Sequence, residues 1–588
     1  MERSAAESEI CWEGVAGFCV AGLAGEAAAI SGRNNWLCQP FMDGSGEFGG
    51  VRSAEDMTKA LWMLWTMLLA IPLAVAGTAG TATTSPAVGP QLGPYESVSS
   101  VTSESEIDVL VFGRLKNLGI VPANSCSDAA FVRRVYLDAI GTLPTAQEAK
   151  EFLQDTNAGK RRALIDRLLE RDEFADYWAM KWSDLLRVKA EFPINLWPNA
   201  AQSYYRWIHT SLRDNKPYDR FVRELLTASG SNFRAPPANF YRAVQDRKPQ
   251  GLAKAVALAF MGTRAENWPK ERLAGMAGFF SRVGYKATGE WKEEIVFFDT
   301  SKPAQGMAEA VFPDGTPARI LPGQDPREVF ADWLITPKNP WFARNIVNRV
   351  WCWLLGRGII HEADDSRPDN PPANPELLSL LERELVFSHY DLKHIYRLIL
   401  NSRAYQLSCV PRSENPSAAR EFAFYPLRRV EAEVLIDALC QITGTTEKYS
   451  SPIPEPFTFI PDGVRTIALP DGSITSSFLD MFGRPSRDTG LESERNNRAT
   501  AAQRLHLLNS SHIQRKLEQS KQFGAMTPGK TSLRERTNAI YLTVLSRFPT
   551  DEEVRTVEAY AKSGGNGREA TIDLAWALIN SAEFLYRH

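Results

Sequence analysis

A stretch near residue 140 recurs near residue 545, and this internal repeat constrains the fold more than any other feature of the sequence. The two copies, residues 135–148 and 540–553, read VYLDAIGTLPTAQE and IYLTVLSRFPTDEE. Their shared positions carry apolar residues, a Pro-Thr pair and a Glu three residues after the Thr, which is the pattern of a helix-capping box. Because the shared residues are apolar or capping, the repeat predicts two helix–turn–helix units with a structural role.

Apolar residues also recur with a helical period through most of the chain after residue 105. A chain of 588 residues is too long for one hydrophobic core, so at least two domains are expected. The fold class predicted from these patterns is mainly α. Helices are expected at residues 173–190, 200–214, 218–228, 250–260, 270–283, 325–336, 340–356, 375–386, 390–402 and 498–588.

Two stretches depart from the helical period. Residues 291–298, 310–312 and 319–321 suggest short strands around a Pro-Asp-Gly turn, and residues 450–485 contain two further Pro-Asp-Gly turns. The sequence therefore predicts a small β insert and a second irregular, partly β segment. The predicted domains are a helical domain at 105–283, the β insert at 284–322 and a second helical domain at 323–588.

The start of the chain carries a signal for export. Residues 57–76 combine a Lys, an apolar run interrupted by Pro72 and the small residues Ala74-Val-Ala76, which are the three parts of a secretory signal peptide. We expect cleavage after Ala76 and a periplasmic or cell-envelope location, with membrane contact only through an uncleaved signal segment. Residues 1–56 are interpreted as a mis-annotated upstream extension, and residues 77–104 as a linker.

Composition and motif searches exclude several classes of site. The net charge of -3 argues against a nucleic-acid partner. The Cys residues after Ala76 form no Cys-x-x-Cys, so neither a Cys-based zinc site nor covalent haem is supported, and no cofactor is predicted. The His residues show no metal-ligand spacing. An oxidising compartment allows disulfides, with Cys409 and Cys440 the nearest pair, whereas Cys352 is expected to be a buried free thiol.

Several longer motifs resemble a family of exported proteins best known from planctomycetes. One part is the planctomycete cytochrome-associated second domain (domain of unknown function fifteen-forty-nine), which residues 105–283 resemble at RRVYLD (133–138), GTLPT (141–145) and WAMKW (178–182). The other is planctomycete extracellular domain one (domain of unknown function fifteen-fifty-three), which residues 325–588 resemble. Its motifs here are NPWFARNIVNRVW (339–351), GRG (356–358), DD (364–365), NPPANPE (370–376), FGRP (482–485) and LLNS (507–510).

The resemblance also reveals a departure. Many members of the family carry a haem-attachment motif, Cys-x-x-Cys-His-x-His-Pro, just after a Gly-x-Arg. Here Gly262-Thr-Arg264 continues through residues 265–267 directly into Trp268, with neither Cys nor His. A thioether-bound haem needs both thiols, so haem-dependent electron transfer is disfavoured. The family has no agreed activity, and the resemblance therefore implies an exported helical protein without naming a reaction.

Two polar clusters are the candidate sites. The first combines a polar face of the helix after Pro340 with an acidic loop downstream, and its members are Arg344, Asn345, Asn348, Arg349, Asp364, Asp365, Arg367, Asp369 and Asn370. The second is a loop of alternating charges with the members Arg484, Arg487, Asp488, Glu492, Glu494 and Arg495. Each cluster has two interpretations, a structural Arg–carboxylate network or a ligand site for a sugar or anion.

The leading functional hypothesis is a non-catalytic envelope component that binds a partner protein or a carbohydrate. The alternative is an enzyme that acts on polysaccharide, with Asp364/Asp365 or Glu492/Glu494 as the acid–base pair. The two hypotheses predict different environments. An enzyme needs these carboxylates exposed in a cleft lined by Trp, whereas saturation by arginines such as Arg349 and Arg495 favours a structural role.

Overall fold

Helices make up most of the chain in the computed structural model, which describes residues 93–97, 105–302, 310–525, 532–562 and 567–588. The prediction of a mainly α fold is confirmed. The predicted upstream extension (1–56), the signal segment (57–76) and most of the linker (77–104) lie outside the described residues. Within the described residues, no helix is long and apolar enough to cross a membrane.

The helices of the first half follow the predicted ranges closely. They are α1 Glu106–Asn117, α2 Asp128–Ile140, α3 Ala146–Gln154, α4 Lys160–Leu169, α5 Asp172–Leu185, α6 Pro198–Arg213, α7 Tyr218–Leu226, α8 Asn239–Arg242, α9 Pro249–Val256 and α10 Lys270–Ala277. A π-helical turn, Ala257–Met261, continues α9.

The second half is also helical, and it contains one long helix, α15, that the sequence analysis did not predict. The helices are α11 Pro326–Leu334, α12 Phe342–Leu355, α13 Pro375–Phe387, α14 Leu392–Asn401, α15 Ala432–Thr443, α16 Ser477–Met481, α17 Ala501–Asn509, α18 Ser511–Glu518, α19 Lys521–Ala525, α20 Leu533–Leu545, α21 Asp551–Lys562, α22 Gly567–Ile579 and α23 Ala582–Leu585.

The two copies of the internal repeat form the same structure. Each copy is a helix, a left-handed residue and a second helix: α2 ends at Gly141 (φ 60°) and α20 ends at Ser546 (φ 60°). Thr145 makes the predicted capping box with Glu148 at the start of α3. A Cβ at Gly141 would lie 2.4 Å from the Tyr177 ring, so a close approach and a positive φ both require glycine there. Helix α3 of the first copy packs against α20 of the second.

Strands are few and short. In one antiparallel sheet the order is β1 (Gly230–Ser231), β3 (Glu294–Phe298), β2 (Val283–Ala287), and β2 and β3 form a hairpin; a second sheet pairs β4 (Arg428–Arg429) with β5 (Tyr586–Arg587).

Where strands were expected at 310–312 and 319–321, the structure has a single bridge between Val311 and Pro317, and the Val311 amide instead donates to the Gly275 oxygen of α10 at 3.1 Å. Phe312 stacks on Phe279 and Trp333. The irregular segment 450–485 likewise contains one bridge, Ser450–Thr475.

The hydrophobic core runs without interruption through both halves of the chain, from Ile107 to Phe584. Buried polar contacts also join the halves: Arg133 donates to the backbone oxygens of Val544 (2.9 Å) and Phe584 (2.8 Å). Arg133 of the first resemblance motif therefore contacts the second copy of the repeat at Val544. The predicted domain boundaries stay a prediction.

The four cysteines after Ala76 are free thiols: Cys126, Cys352, Cys409 and Cys440. Burial raises the pKa of Cys352 to about 12, which disfavours a reactive thiolate there. The nearest pair in sequence, Cys409 and Cys440, is not joined in the structure.

Candidate functional site

A pocket of about 570 Å³ opens where the segment after Gly262 meets the loop before α13. Gly262 (φ 62°) ends the π-helical turn, and its carbonyl oxygen accepts from the Ser366 amide at 2.8 Å, which attaches the segment to the loop. The lining comes from three separate stretches of chain: residues 263–264 and 267–272, residues 340–344 with Ile360, and residues 365–372. The pocket therefore lies where many members of the resembled family carry their haem motif.

Aromatic and cationic side chains dominate one wall of this pocket. The Arg272 guanidinium lies 4.0 Å from the ring centroid of Trp268 and 5.8 Å from that of Trp341. Within the residues that the structure describes, no carboxylate forms an ion pair with Arg272, and its Nε has no hydrogen-bond partner. Burial lowers the pKa of Arg272 from its ordinary value, and the Asp314 carboxylate opposes this shift electrostatically without forming an ion pair. Arg272 is therefore a cation held in place by ring stacking.

The other arginines of the pocket are each paired. Arg264 forms an ion pair with Glu362 at 2.8 Å and Arg344 with Glu382 at 2.6 Å. Arg367 bonds Asp365 at 3.0 Å and reaches Asp369 at 3.2 Å. The predicted residues Arg344, Asp365 and Arg367 thus form the polar rim of the pocket.

Asn370 also lines the pocket, where its side chain donates to two backbone oxygens, those of His361 and Asp365, both at 2.9 Å. These two bonds fix the turn of the loop that carries the rim. Asn370 therefore positions the pocket wall through the backbone.

The inner half of the first predicted cluster is a buried structural network. Arg349 bonds Asp364 at 2.7 Å, and both side chains are almost completely buried. Burial alone would lower the pKa of Arg349, but the adjacent Asp364 carboxylate raises it above its ordinary value. Asn348 bonds both backbone groups of Ile360 (3.0 and 2.8 Å), and Asn345 donates to the Ala259 oxygen at 3.1 Å. These residues fasten the loop to α12.

The second predicted cluster is held mainly by Asp184 on α5. Its carboxylate accepts from Arg487 at 2.9 Å and from Arg495 at 2.6 Å, and Arg495 also bonds Glu433 at 2.7 Å. Burial works to raise the pKa of Asp184, but Arg495 and Arg487 lower it below its ordinary value. The arrangement ties the loop around residue 490 to α5 and α15.

The remaining charged residues of that loop bond within it, to nearby backbone or to the distant Lys189 side chain. Arg484 donates to the Ile474 oxygen at 2.6 Å, and Asp488 pairs with Lys189 at 2.7 Å. Glu494 accepts from the Thr489 amide at 2.6 Å. These contacts shape the loop and leave no open cleft between its charges.

The two predicted clusters meet at Asp364. The second oxygen of its carboxylate accepts from the Glu492 amide at 2.8 Å, and the Glu492 side chain accepts from the Trp353 indole at 3.0 Å. Sequence reasoning did not bring these clusters together. The carboxylates of the enzyme hypothesis are thus engaged by protein donors, and the space beside Glu492 is only about 10 Å³.

A second pocket, of about 340 Å³, lies beside the first repeat copy. Its two arginines are both paired: Arg171 bonds Glu148 (2.8 Å) and Glu173 (2.5 Å), and Arg465 lies 3.8 Å from Asp437. Of the two pockets, the larger one therefore holds the arginine without an acidic partner among the described residues.

Sequence reasoning missed the two tryptophans and Arg272, although their spacing offered a signal. Trp268 lies two residues before α10, and Arg272 follows four residues later in the first turn of that helix. It also missed that His506 and His512 approach to 3.4 Å across the junction of α17 and α18, where His512 bonds Glu447 at 2.7 Å. Across the described ranges, no cluster suited to a metal ion occurs.

Comparison with known families gives two matches. Residues 106–272 match the family model PSCyt2, a protein of unknown function (DUF1549), and residues 326–561 match PSD1, a protein of unknown function (DUF1553). The chain combines these two domains. The PSCyt2 match ends at Arg272, so the larger pocket lies at the end of that match and draws its other walls from the PSD1 match. No curated protein and no solved structure matches the chain.

The pocket does not fit a covalently bound haem, which the resembled family implies at this place. A c-type haem requires two thiols and an axial ligand, and the pocket lining contains neither Cys nor His. Its donors are arginines, tryptophans and amides, which suit an anion or a sugar.

Proposed function

We propose that this chain is an exported, non-catalytic binding protein that holds an acidic carbohydrate in the pocket of about 570 Å³. The observation that carries the proposal is Arg272, which is fixed against Trp268 and forms no ion pair with any described carboxylate. A partly buried guanidinium that forms no ion pair is available to an anionic ligand.

The chemistry of the wall suits such a ligand. A guanidinium presents parallel N–H donors that match a carboxylate or sulfate in bidentate fashion. Trp268 and Trp341 offer apolar ring faces against which the C–H face of a sugar packs. The volume lies within the range of roughly 300–1,000 Å³ that is typical of small-ligand sites.

The state of the predicted carboxylates supports binding rather than catalysis. A glycosidase needs one carboxylic acid and one carboxylate facing each other across the substrate. Asp364 is buried against Arg349, and Glu492 and Glu494 accept from protein donors. The enzyme alternative would require these groups to leave their present partners.

Export is part of the proposal and rests on residues 57–76. We expect the mature protein to begin at Gly77 and to fractionate with the periplasm or envelope. N-terminal sequencing of the native protein tests this. Peptides from residues 1–56, or a cytoplasmic location, would contradict it.

The binding test uses a charged ligand and its neutral form. We expect isothermal titration calorimetry to detect a galacturonic-acid trisaccharide and to show much weaker binding of its methyl ester. Arg272→Ala should weaken binding about tenfold or more, which corresponds to about 1.4 kcal/mol. Arg272→Lys should restore part of this loss, because Lys keeps the charge without the planar donor pair.

Arg213→Ala is the matched control, because Arg213 is an exposed arginine on α6 outside the pocket. Its binding should equal that of the wild type. Equal binding of the acid and its ester, or no effect of Arg272→Ala, would overturn the proposal. If the trisaccharide fails to bind and a stoichiometric exported protein depends on Arg272, the pocket holds a protein partner.

A further inference from the structure

Exposed aromatic side chains lie on three loops outside the pocket. Trp291 (68% exposed) and Phe457 (42%) contact the half-buried Trp197, and Phe192 (79%) and Phe459 (66%) lie on the same loops. Exposed aromatic groups in contact with one another mark interaction sites. We propose that the contacting rings of Trp197, Trp291 and Phe457, the aromatic surface, form a second carbohydrate-binding site that stacks the sugar rings of a neutral polysaccharide chain.

Trp197 joins the three loops. Its ring centroid lies 5.4 Å from that of Phe457 and 6.3 Å from that of Trp291, both in edge-to-face geometry. Phe192 lies in the same loop as Trp197, and Phe459 follows Phe457 by two residues. The surface is thus assembled from segments that are separated by about 100 to 160 residues in the chain, which a hydrophobic periodicity cannot reveal.

Each loop is fixed at its base by backbone hydrogen bonds. The Trp197 amide donates to the Ala190 oxygen at 3.0 Å, and the Phe457 amide to the Pro454 oxygen at 3.1 Å. Trp291 lies in the turn of the β2–β3 hairpin, where the Thr288 amide donates to the Glu293 oxygen at 3.3 Å. The rings are therefore presented by closed loops, which reduces the conformational entropy lost on binding.

The backbone at Trp197 is strained. Its φ of 72° and ψ of 148° lie in a region that is essentially restricted to glycine, and a bulky side chain there is a genuine outlier. Asn195 (φ 59°) and Lys292 (φ 60°), on two of the same loops, are also left-handed. Such strain persists where the surrounding structure dictates it, and it clusters at ligand sites.

The residues between the rings favour a glycan over a protein. The Lys292 ammonium lies 4.9 Å from the Trp197 centroid and 5.4 Å from the Trp291 centroid. Lys is depleted from the centre of protein interfaces, where burial of an ammonium is costly. A polysaccharide instead offers hydroxyl groups to the ammonium and apolar C–H faces to the rings. The surface combines both kinds of contact.

The test is affinity electrophoresis of the whole chain through gels that contain hydroxyethyl cellulose, arabinoxylan, galactomannan or laminarin. At least one polymer should retard the wild type, and Trp291→Ala should weaken this retardation about tenfold, the ratio that corresponds to 1.4 kcal/mol. Phe387→Ala is the control, because Phe387 is an equally exposed aromatic residue (77%) on α13. Because Trp291 is exposed, thermal melting should show that Trp291→Ala folds normally.

The outcome is independent of the pocket. Arg272→Ala should leave the retardation unchanged, and Trp291→Ala should leave the calorimetric binding of the acidic trisaccharide unchanged. Failure of all four polymers to retard the wild type would overturn the proposal, as would retardation that Trp291→Ala does not alter. A stoichiometric exported protein lost with Trp291→Ala, without glycan retardation, would also overturn it in favour of a protein partner.

Discussion

Arginine plays opposite parts in two regions of this molecule. Around Asp138, in the interior, one carboxylate accepts from Arg587 (2.8 Å), Arg428 (3.0 Å), Tyr405 (2.9 Å) and Tyr425 (2.8 Å). In the larger pocket, Arg272 has ring contacts and no acidic partner within the described ranges.

The difference separates structure from binding. A buried charge without partners costs several kcal/mol of folding free energy, so the interior arginines and carboxylates must form ion pairs with one another. A charge near the surface is still partly hydrated, so it can lack an ion-pair partner in the protein. Such a charge remains available to a ligand. The residue type alone therefore does not identify the candidate site. The site is identified by an arginine that lies near the surface and forms no ion pair.

The largest expected effect comes from breaking the interior network. Arg587→Met removes one donor from both Asp138 and Glu431. Asp138 keeps Arg428, and Glu431 keeps Lys181 at 2.8 Å. We expect a loss of about 3–5 kcal/mol in the free energy of unfolding, the usual cost of removing one member of a buried ion pair. Urea unfolding followed by circular dichroism measures it.

The matched control is Arg213→Ala at the exposed ion pair with Asp214, which should leave the urea midpoint unchanged. Equal midpoints for Arg587→Met and the wild type would show that the interior arginines are not structural, and the contrast with Arg272 would fail.

A second prediction tests the same interior region through the pH dependence of folding stability. Burial, followed by the nearby Arg133, lowers the pKa of His588 to about 4, so the folded state holds this imidazole neutral. The unfolded chain binds a proton near pH 6.5, so the contribution is complete above that pH and falls as pH drops towards 4. Between pH 7 and pH 5 we expect a loss of about 2 kcal/mol.

His588→Asn should flatten this dependence in thermal or urea melts, whereas His389→Asn, at an exposed position, should not. The window above pH 5 avoids Glu431, whose pKa is held below its ordinary value, since burial raises it but Arg587 and Lys181 lower it. An unchanged slope in His588→Asn would refute the assignment.

The features that could be predicted from the sequence are those that depend on residues close together in the chain. The capping box at Thr145, the helix of the RRVYLD motif and the strand within residues 291–298 are set by local patterns, whereas the partner strand Val283–Ala287 was not predicted. Helix α15 was missed although Glu433, Asp437 and Gln441 recur every four residues along it, a spacing that indicates a polar face on an otherwise apolar helix.

Contacts between distant residues could not be predicted in the same way. Arg134 donates to the Tyr405 oxygen 271 residues away, and no spacing in one sequence encodes that. The candidate clusters were visible as polar residues, but only the fold separates Arg349, which is buried and paired with Asp364, from Arg344 at the pocket rim. Trp268 and Arg272 could be recognised as part of a candidate site only because the fold places Trp341 beside them.

An intermediate effect tests the junction of the two clusters. Asp364→Asn leaves Arg349 buried beside a neutral amide and places a donor against Arg349 or the Glu492 amide, so unfolding should become easier by about 2–4 kcal/mol. Glu492→Gln, at a more exposed side chain that accepts from Trp353, should cost less. Both variants should bind the acidic trisaccharide normally. Loss of a polysaccharide-cleaving activity in Glu492→Gln, with stability unchanged, would instead support the enzyme alternative.

The smallest effect concerns the pocket rim, where a paired and an unpaired arginine lie in one site. Arg344→Ala removes a partly exposed ion pair with Glu382, so stability should fall by less than about 1 kcal/mol. Glu382 already occupies part of the Arg344 guanidinium, so affinity for the trisaccharide should fall by about threefold, against about tenfold for Arg272→Ala. Calorimetry of both variants measures the ratio. A larger loss for Arg344→Ala would mean that the ligand displaces Glu382, and the absence of an acidic partner would then not be what makes an arginine available.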